Sequence, residues 1–160
     1  MSDIAIYQDP NVIRRLVSTA RTIAVVGLSA NPLRPSHFVG FYLLRHGYNV
    51  IPVNPREREI LGRRSVERLD QIDVPVDIVD VFREPSVVPQ LASDAAAIGA
   101  KALWLQFGVI HDEGAGQAKS AGLDVVMDRC LKIEHARYLG RMHWLGFNTG
   151  VISARRATPI

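Results

Sequence analysis

The residues best suited to chemistry stand just after short apolar runs. The run Thr22–Gly27 leads into Gly27-Leu28-Ser29-Ala30-Asn31-Pro32-Leu33-Arg34-Pro35-Ser36. A glycine there lets the chain turn tightly, and Ser29 and Asn31 offer small hydrogen-bonding side chains. Ser36 opens an amphipathic stretch, and a helix N-terminus with free N–H groups suits a phosphate. The spacing departs from the dinucleotide pattern G-x-G-x-x-G, because Ser29 and Pro32 stand at the second and third glycines. An ordinary structural turn is the competing reading. The run Asn49–Val53 ends in Asn54-Pro55-Arg56. An NAD site places Asp or Glu near such a position to accept the ribose diol. Here Asn54 is neutral and Arg56 and Arg58 follow, which favours a phosphorylated ribose, as in NADP or coenzyme A. A proline-rich turn with solvated arginines is the plainer alternative.

Three further run ends carry reactive or ligand-facing types: Phe82-Arg83, Gln106-Phe107-Gly108 and Arg129-Cys130. Phe82 and Phe107 offer flat faces to an adenine or a pantetheine arm, or else belong to the core. Arg129 and Lys132 flank Cys130 and should favour its thiolate; the ordinary reading packs Cys130 inward. Glu134 and His135 read as an acid–base pair or as a helix start. Catalytic patterns are missing. Gly27–Asn31 lacks the last glycine of a nucleophile elbow, and no G-x-x-x-x-G-K-[ST] run occurs. The five histidines include no i, i+4 pair, so no metal site is expected. The sequence offers a place for an anion without machinery to transform it.

The elements that position these residues follow from the apolar pattern. Strands are read at Thr22–Gly27, Asn49–Val53, Val76–Val81, Ala102–Gln106 and Asp124–Met127, each nearly continuous in apolar residues, as in strands buried on both faces. Helices are read at about 10–20, Ser36–His46, Ser65–Gln71, Ser86–Ile98 and Asp112–Ala121. Asp9-Pro10 has the form of a cap followed by a first-turn proline, and Asp112 is read as a cap for the fourth crossover helix. The alternation implies an α/β fold with a mostly parallel sheet. At 160 residues the chain fits one domain, 1–160. Its segment 141–160, which holds Trp144 and Phe147, is expected to pack on the domain or on a partner. The apolar run Thr22–Ala30 is too short for a membrane span, which needs about 20 residues, and no signal peptide is read. A single cysteine fits a reducing cytoplasm. Net charge is +3, too mild to indicate nucleic acid, although the pI near 9.3 keeps that reading among the rivals.

Taken together, Ile23–Gly27 with Ser29, Asn31-Pro32, Arg34-Pro35-Ser36, Val50–Pro55, Val79–Arg83, Trp104–Gln106, Val126–His135 and Gly146–Ser153 resemble the CoA-binding-domain proteins of the YccU-like type. The resemblance covers essentially the whole chain. It implies a doubly wound, Rossmann-like, five-stranded parallel sheet with helices on both faces, similar to the CoA-binding domain of the succinyl-CoA synthetase α subunit. Carried over by position, it nominates Gly27, Ser29, Ala30, Asn31, Val53, Asn54, Arg56, Phe82, Arg83, Gln106, Phe107 and Gly108 as contacts for coenzyme A or an acyl-CoA. The synthetase's glycine-rich first loop is here Ser29-Ala30-Asn31-Pro32. Its catalytic histidine belongs to a later domain that this chain lacks, so the resemblance implies binding without that activity. The expectation is a cytoplasmic CoA-binding protein with a small-molecule ligand, no nucleic acid, no membrane and a possible homo-oligomer. An NADP-binding oxidoreductase or redox sensor is the main alternative.

Overall fold

The computed structural model describes residues 3–140, so the expectations for 141–160 fall outside the described residues. Asp9 caps α1 (Pro10–Thr19), its carboxylate accepting the Asn11 N–H at 2.9 Å, with Pro10 as first helical residue. Five parallel strands form the sheet: β1 (Thr22–Val26), β2 (Asn49–Val53), β5 (Ile78–Val81), β6 (Ala102–Leu105) and β7 (Asp124–Met127), in the order β2-β1-β5-β6-β7. The order reverses direction beside β1, where the chain winds first to one edge and then to the other. Registers align the strand ends. Val26 lies opposite Val53 and Val81, and Leu105 lies opposite Val81 and Met127. Every following turn therefore reaches one common rim.

Successive strand residues feed two cores. Ala24, Val26, Val79, Val81, Leu103 and Leu105 face α3 (Val88–Ala97) and α4 (Asp112–Ser120). Ile23, Val25, Ile78, Trp104 and Val126 face α1, α2 (Pro35–Arg45) and α5 (Leu131–Tyr138). Burial on both faces is why the strands show little alternation in sequence. No described helix is long and apolar enough to cross a membrane.

Two expectations are corrected. Ser65–Gln71 is not a helix. There Val66 bridges to Val53 and only Leu69–Gln71 turns, as a 3₁₀ segment; just before it the chain makes a hairpin of β3 (Glu59–Ile60) and β4 (Arg63–Arg64). The hairpin turns on Leu61-Gly62, both left-handed at φ 55° and 73°, the backbone of a two-residue type I′ loop. The Gln71 side chain takes the N–H groups of Glu67 and Arg68 at 2.8 and 3.1 Å, which competes with helical bonding. The cap of α4 is His111 rather than Asp112: His111 Nδ1 accepts the Gly114 N–H at 3.0 Å. Gly114 fits the helix because a Cβ there would meet Val88 Cγ1 at 2.7 Å, so α3 and α4 approach across it.

Candidate functional site

Along the common rim runs a cleft of about 810 Å³. Among the nominated residues, Gly27, Ser29, Val53, Asn54, Arg56, Phe82, Arg83, Gln106 and Phe107 line it. Ala30, Asn31 and Gly108 lie outside the lining. Arg34, Pro35, Ser36, Val39, Pro55, Glu84, Val109 and Cys130 line it as well. For most of these the signal was present: Arg34–Ser36 open α2, and Cys130 follows β7.

The first loop is braced from within. Gly27 sits at φ +86°, and a Cβ there would lie 2.5 Å from the Phe82 carbonyl oxygen, so β1 and the turn after β5 touch through it. The Ser29 N–H donates to Ser36 Oγ at 3.0 Å, the Asn31 N–H to Ser29 Oγ at 3.1 Å, and the Leu33 N–H to Asn31 Oδ1 at 2.9 Å. His37 Nδ1 donates to the Ser29 carbonyl at 2.8 Å. Ser29, Asn31 and Leu33 have thus already committed their N–H groups, which leaves the start of α2 and the neighbouring arginines as the groups best placed for an anion. Asn54 is a brace too. Its Nδ2 donates to the Leu28 carbonyl at 3.0 Å and its Oδ1 accepts the Arg56 N–H at 2.8 Å, tying the turns after β1 and β2 together.

Charge is unevenly spread along the cleft. Arg34 and Arg56 stand by β1 and β2, with Arg83 after β5, and Arg83 pairs with Glu84 at 3.4 Å. Beneath the floor Asp80 is fully buried, and Gln106 Nε2 donates to its Oδ1 at 2.7 Å. Its Oδ2 has no partner. Burial lifts the Asp80 carboxyl to about 7, against the opposing pull of the Gln106 bond. In the sequence, the signal for this group is an acid inside the apolar run Ile78-Val79-Asp80-Val81, which marks a carboxyl destined for burial.

Cys130 corrects another expectation. Burial is the largest influence on its thiol and pushes it up, with the Asp80 charge adding to the rise; the backbone N–H groups of Ile133 and Lys132 and the Lys132 charge oppose without reversing it. Lys132 instead lies over the Phe38 ring at 4.6 Å, and the Arg129 carbonyl accepts Trp104 Nε1–H at 2.9 Å. Glu134 and His135 do not pair with each other. Glu134, fully buried, meets Arg137 at 3.1 Å and Arg129 at 3.8 Å. His135 Nδ1 bonds the Tyr42 hydroxyl at 2.8 Å, and burial with His46 nearby lowers it to about 4. Among the described residues, no cluster of three or more His, Cys, Asp or Glu is arranged to hold a metal.

The chain is similar to known proteins. The curated Bacillus subtilis (strain 168) protein YneT, itself uncharacterized, is 40% identical over 124 residues, covering 78% of this chain and 92% of its own. A solved Thermus thermophilus protein, cell-free ID.343, is 42% identical with a TM-score of 0.78, covering 82% of this chain and 99% of its own. The dinucleotide forming acetyl-coenzyme A synthetase 1 of Ca. Korarchaeum cryptofilum, in its apo form, matches 69% of this chain at 25% identity and a TM-score of 0.60. The match spans 26% of that larger protein. The family model described as CoA binding domain matches residues 21–136, the stretch that holds all five parallel strands and every turn of the cleft, and the chain belongs to that family.

Proposed function

We propose that this chain is a cytoplasmic, single-domain protein that binds coenzyme A or an acyl-CoA across the carboxyl ends of its strands, without a reaction of its own. The observation that carries the reading is the cleft itself. It crosses the ends of β2, β1, β5 and β6 and reaches the turn after β7, and it is basic at one end and apolar at the other. Open parallel sheets take ligands at this place, where the strand order reverses. Coenzyme A has the matching distribution: a phosphorylated ribose and diphosphate at one end, a long thin arm at the other. Arginine forks hold phosphate oxygens in pairs, and Arg56 stands where the adenosine ribose would lie. Phe82 and Phe107 supply flat apolar faces. The membership of the CoA binding domain family and the likeness to a segment of an acetyl-coenzyme A synthetase support the same ligand class.

NADP shares the phosphorylated ribose and is the rival to test. A ligand that binds only the native state raises stability by RT ln(1 + [L]/Kd). Thermal shift of the full chain with millimolar CoA, acetyl-CoA, NADP and duplex DNA separates the readings. The expected result is a rise in Tm with CoA or acetyl-CoA and none with DNA. A rise with NADP alone would replace this reading with an oxidoreductase or sensor.

A further inference from the structure

The apolar end of the cleft carries chemistry that binding alone does not use. It is lined by Phe107, Val109, Gln106 and Cys130. Cys130 is the chain's sole cysteine, 8% exposed, at the cap of α5. Gln106 is 3% exposed, and its Nε2 is committed to Asp80 at 2.7 Å. A carboxylate oxygen demands the N–H side of the amide, so the carbonyl oxygen is the group Gln106 offers to the cleft. That oxygen finds no donor among the described residues. A ligand complementary to both ends carries phosphates toward Arg34 and Arg56, then an amide N–H and a sulfur toward Gln106 and Cys130.

We propose that Cys130 is a covalent attachment point, which takes the terminal sulfur of coenzyme A as a mixed disulfide by exchange with CoA disulfide, while the Gln106 carbonyl accepts a pantetheine amide N–H. The inference rests on the coenzyme A reading above. In the step, Cys130 loses its proton and its Sγ attacks one sulfur of CoA disulfide. The sulfur–sulfur bond of the reagent breaks, a new one forms between Sγ and that sulfur, and the second CoA departs as a thiolate that takes up a proton. Cys130 is oxidised and the departing sulfur is reduced, so electrons balance without another reagent. The surroundings make the thiol selective. Burial favours its protonated form and Asp80 on β5 adds negative charge, while the backbone N–H groups of Ile133 and Lys132 and the Lys132 charge on its own helix oppose. Small oxidants in bulk solution therefore meet a shielded thiol, whereas a disulfide docked by its phosphates reacts from a fixed position.

The test follows the intact mass of the full chain incubated with CoA disulfide or with glutathione disulfide, alongside calorimetry with CoA. The expected result is addition of one CoA to the wild type and none to Cys130→Ser, with reversal by dithiothreitol. CoA disulfide should react about 10-fold or more faster than glutathione disulfide, and excess S-methyl-CoA should slow it. Gln106→Leu should weaken CoA while leaving adenosine 3′,5′-bisphosphate, which lacks the arm, unaffected; equal losses for both would overturn the Gln106 contact. CoA binding without an adduct, or equal rates for the two disulfides with no protection, overturns the covalent step and leaves the binding reading standing. Failure of CoA to bind at all removes both.

Discussion

Gly27 joins sequence to site most directly, because one hydrogen in place of a methyl lets β1 meet the Phe82 carbonyl. Its φ of +86° and the 2.5 Å approach predict that Gly27→Ala destabilises the fold by about 2 kcal/mol or more, since the left-handed backbone alone costs roughly 1–2 kcal/mol; urea unfolding reads the loss, and an unchanged midpoint would contradict the packing. Arg56 is exposed at the cleft's basic end. Arg56→Ala should weaken CoA by roughly 1.5–3 kcal/mol and dephospho-CoA far less, by calorimetry on both; equal losses would move the contact to the diphosphate. Asp80 makes a pH prediction. In the unfolded chain its carboxyl titrates near 3.8, whereas burial holds it near 7 in the fold. Below pH 4 the acid is neutral in both states, and between 4 and 7 only the unfolded state releases its proton, so the wild type loses stability as pH rises through that window. Asp80→Asn lacks this slope and should gain on the wild type between pH 4 and 7, by a margin on the order of 4 kcal/mol at most. Chemical denaturation at both ends of the window measures it, and parallel curves would show that Asp80 is not strained by its charge. Gly27 and Arg56 were legible from residue type and position. The pairing of Asp80 with Gln106 was not, because it joins adjacent strands that only the register brings together.

The elements were legible where periodicity and burial agree. The five strands, α1 and the crossover helices α2, α3 and α4 follow from apolar runs and helical spacing that burial on both faces of the sheet requires. The hairpin β3–β4 was hidden for a physical reason. Its turn places Leu61 at a left-handed position where Asn or Asp is the usual signal, and Leu61 packs against the α2 side of the core instead. The helix expected over Ser65–Gln71 lies just after this hairpin, where the bridge from Val66 to Val53 holds the chain extended instead. The cap of α4 was misassigned because His111 and Asp112 are both plausible acceptors, and only backbone geometry selects between them. At α2 the element and the site are one structure. Ser36 is 5% exposed and its Oγ holds the Ser29 N–H, so Ser36→Ala leaves a part-buried donor unpaired. That change should cost about 1–2 kcal/mol in Tm-derived stability and weaken CoA as the first loop loosens. Calorimetry and melting on one preparation check both, and a variant with unaltered melting and binding would detach the loop from α2.

On the scale of the whole molecule, topology produces the cleft. Five parallel strands in register deliver their turns to one rim, and the reversal beside β1 leaves a space there that no crossover fills. The charge is modest at +3, yet Arg34 and Arg56 line the cleft beside β1 and β2 and Arg83 lines it after β5, so local placement rather than net charge favours an anion there. The resemblance carried by the turns covers the same strand ends, which is why most of the lining was legible before the fold. The internal bonding of the first loop was not, since it depends on which N–H each short side chain captures. The central claim is that coenzyme A lies along this rim. Backbone amide chemical shifts of the ¹⁵N-labelled full chain, followed during titration with CoA, test it most directly. With CoA on the rim, saturable shifts are expected only at residues after the strands, at Gly27, Ser36, Arg56, Phe82, Gln106 and Cys130. Saturable shifts centred elsewhere on the molecule, or none at millimolar CoA, would contradict it.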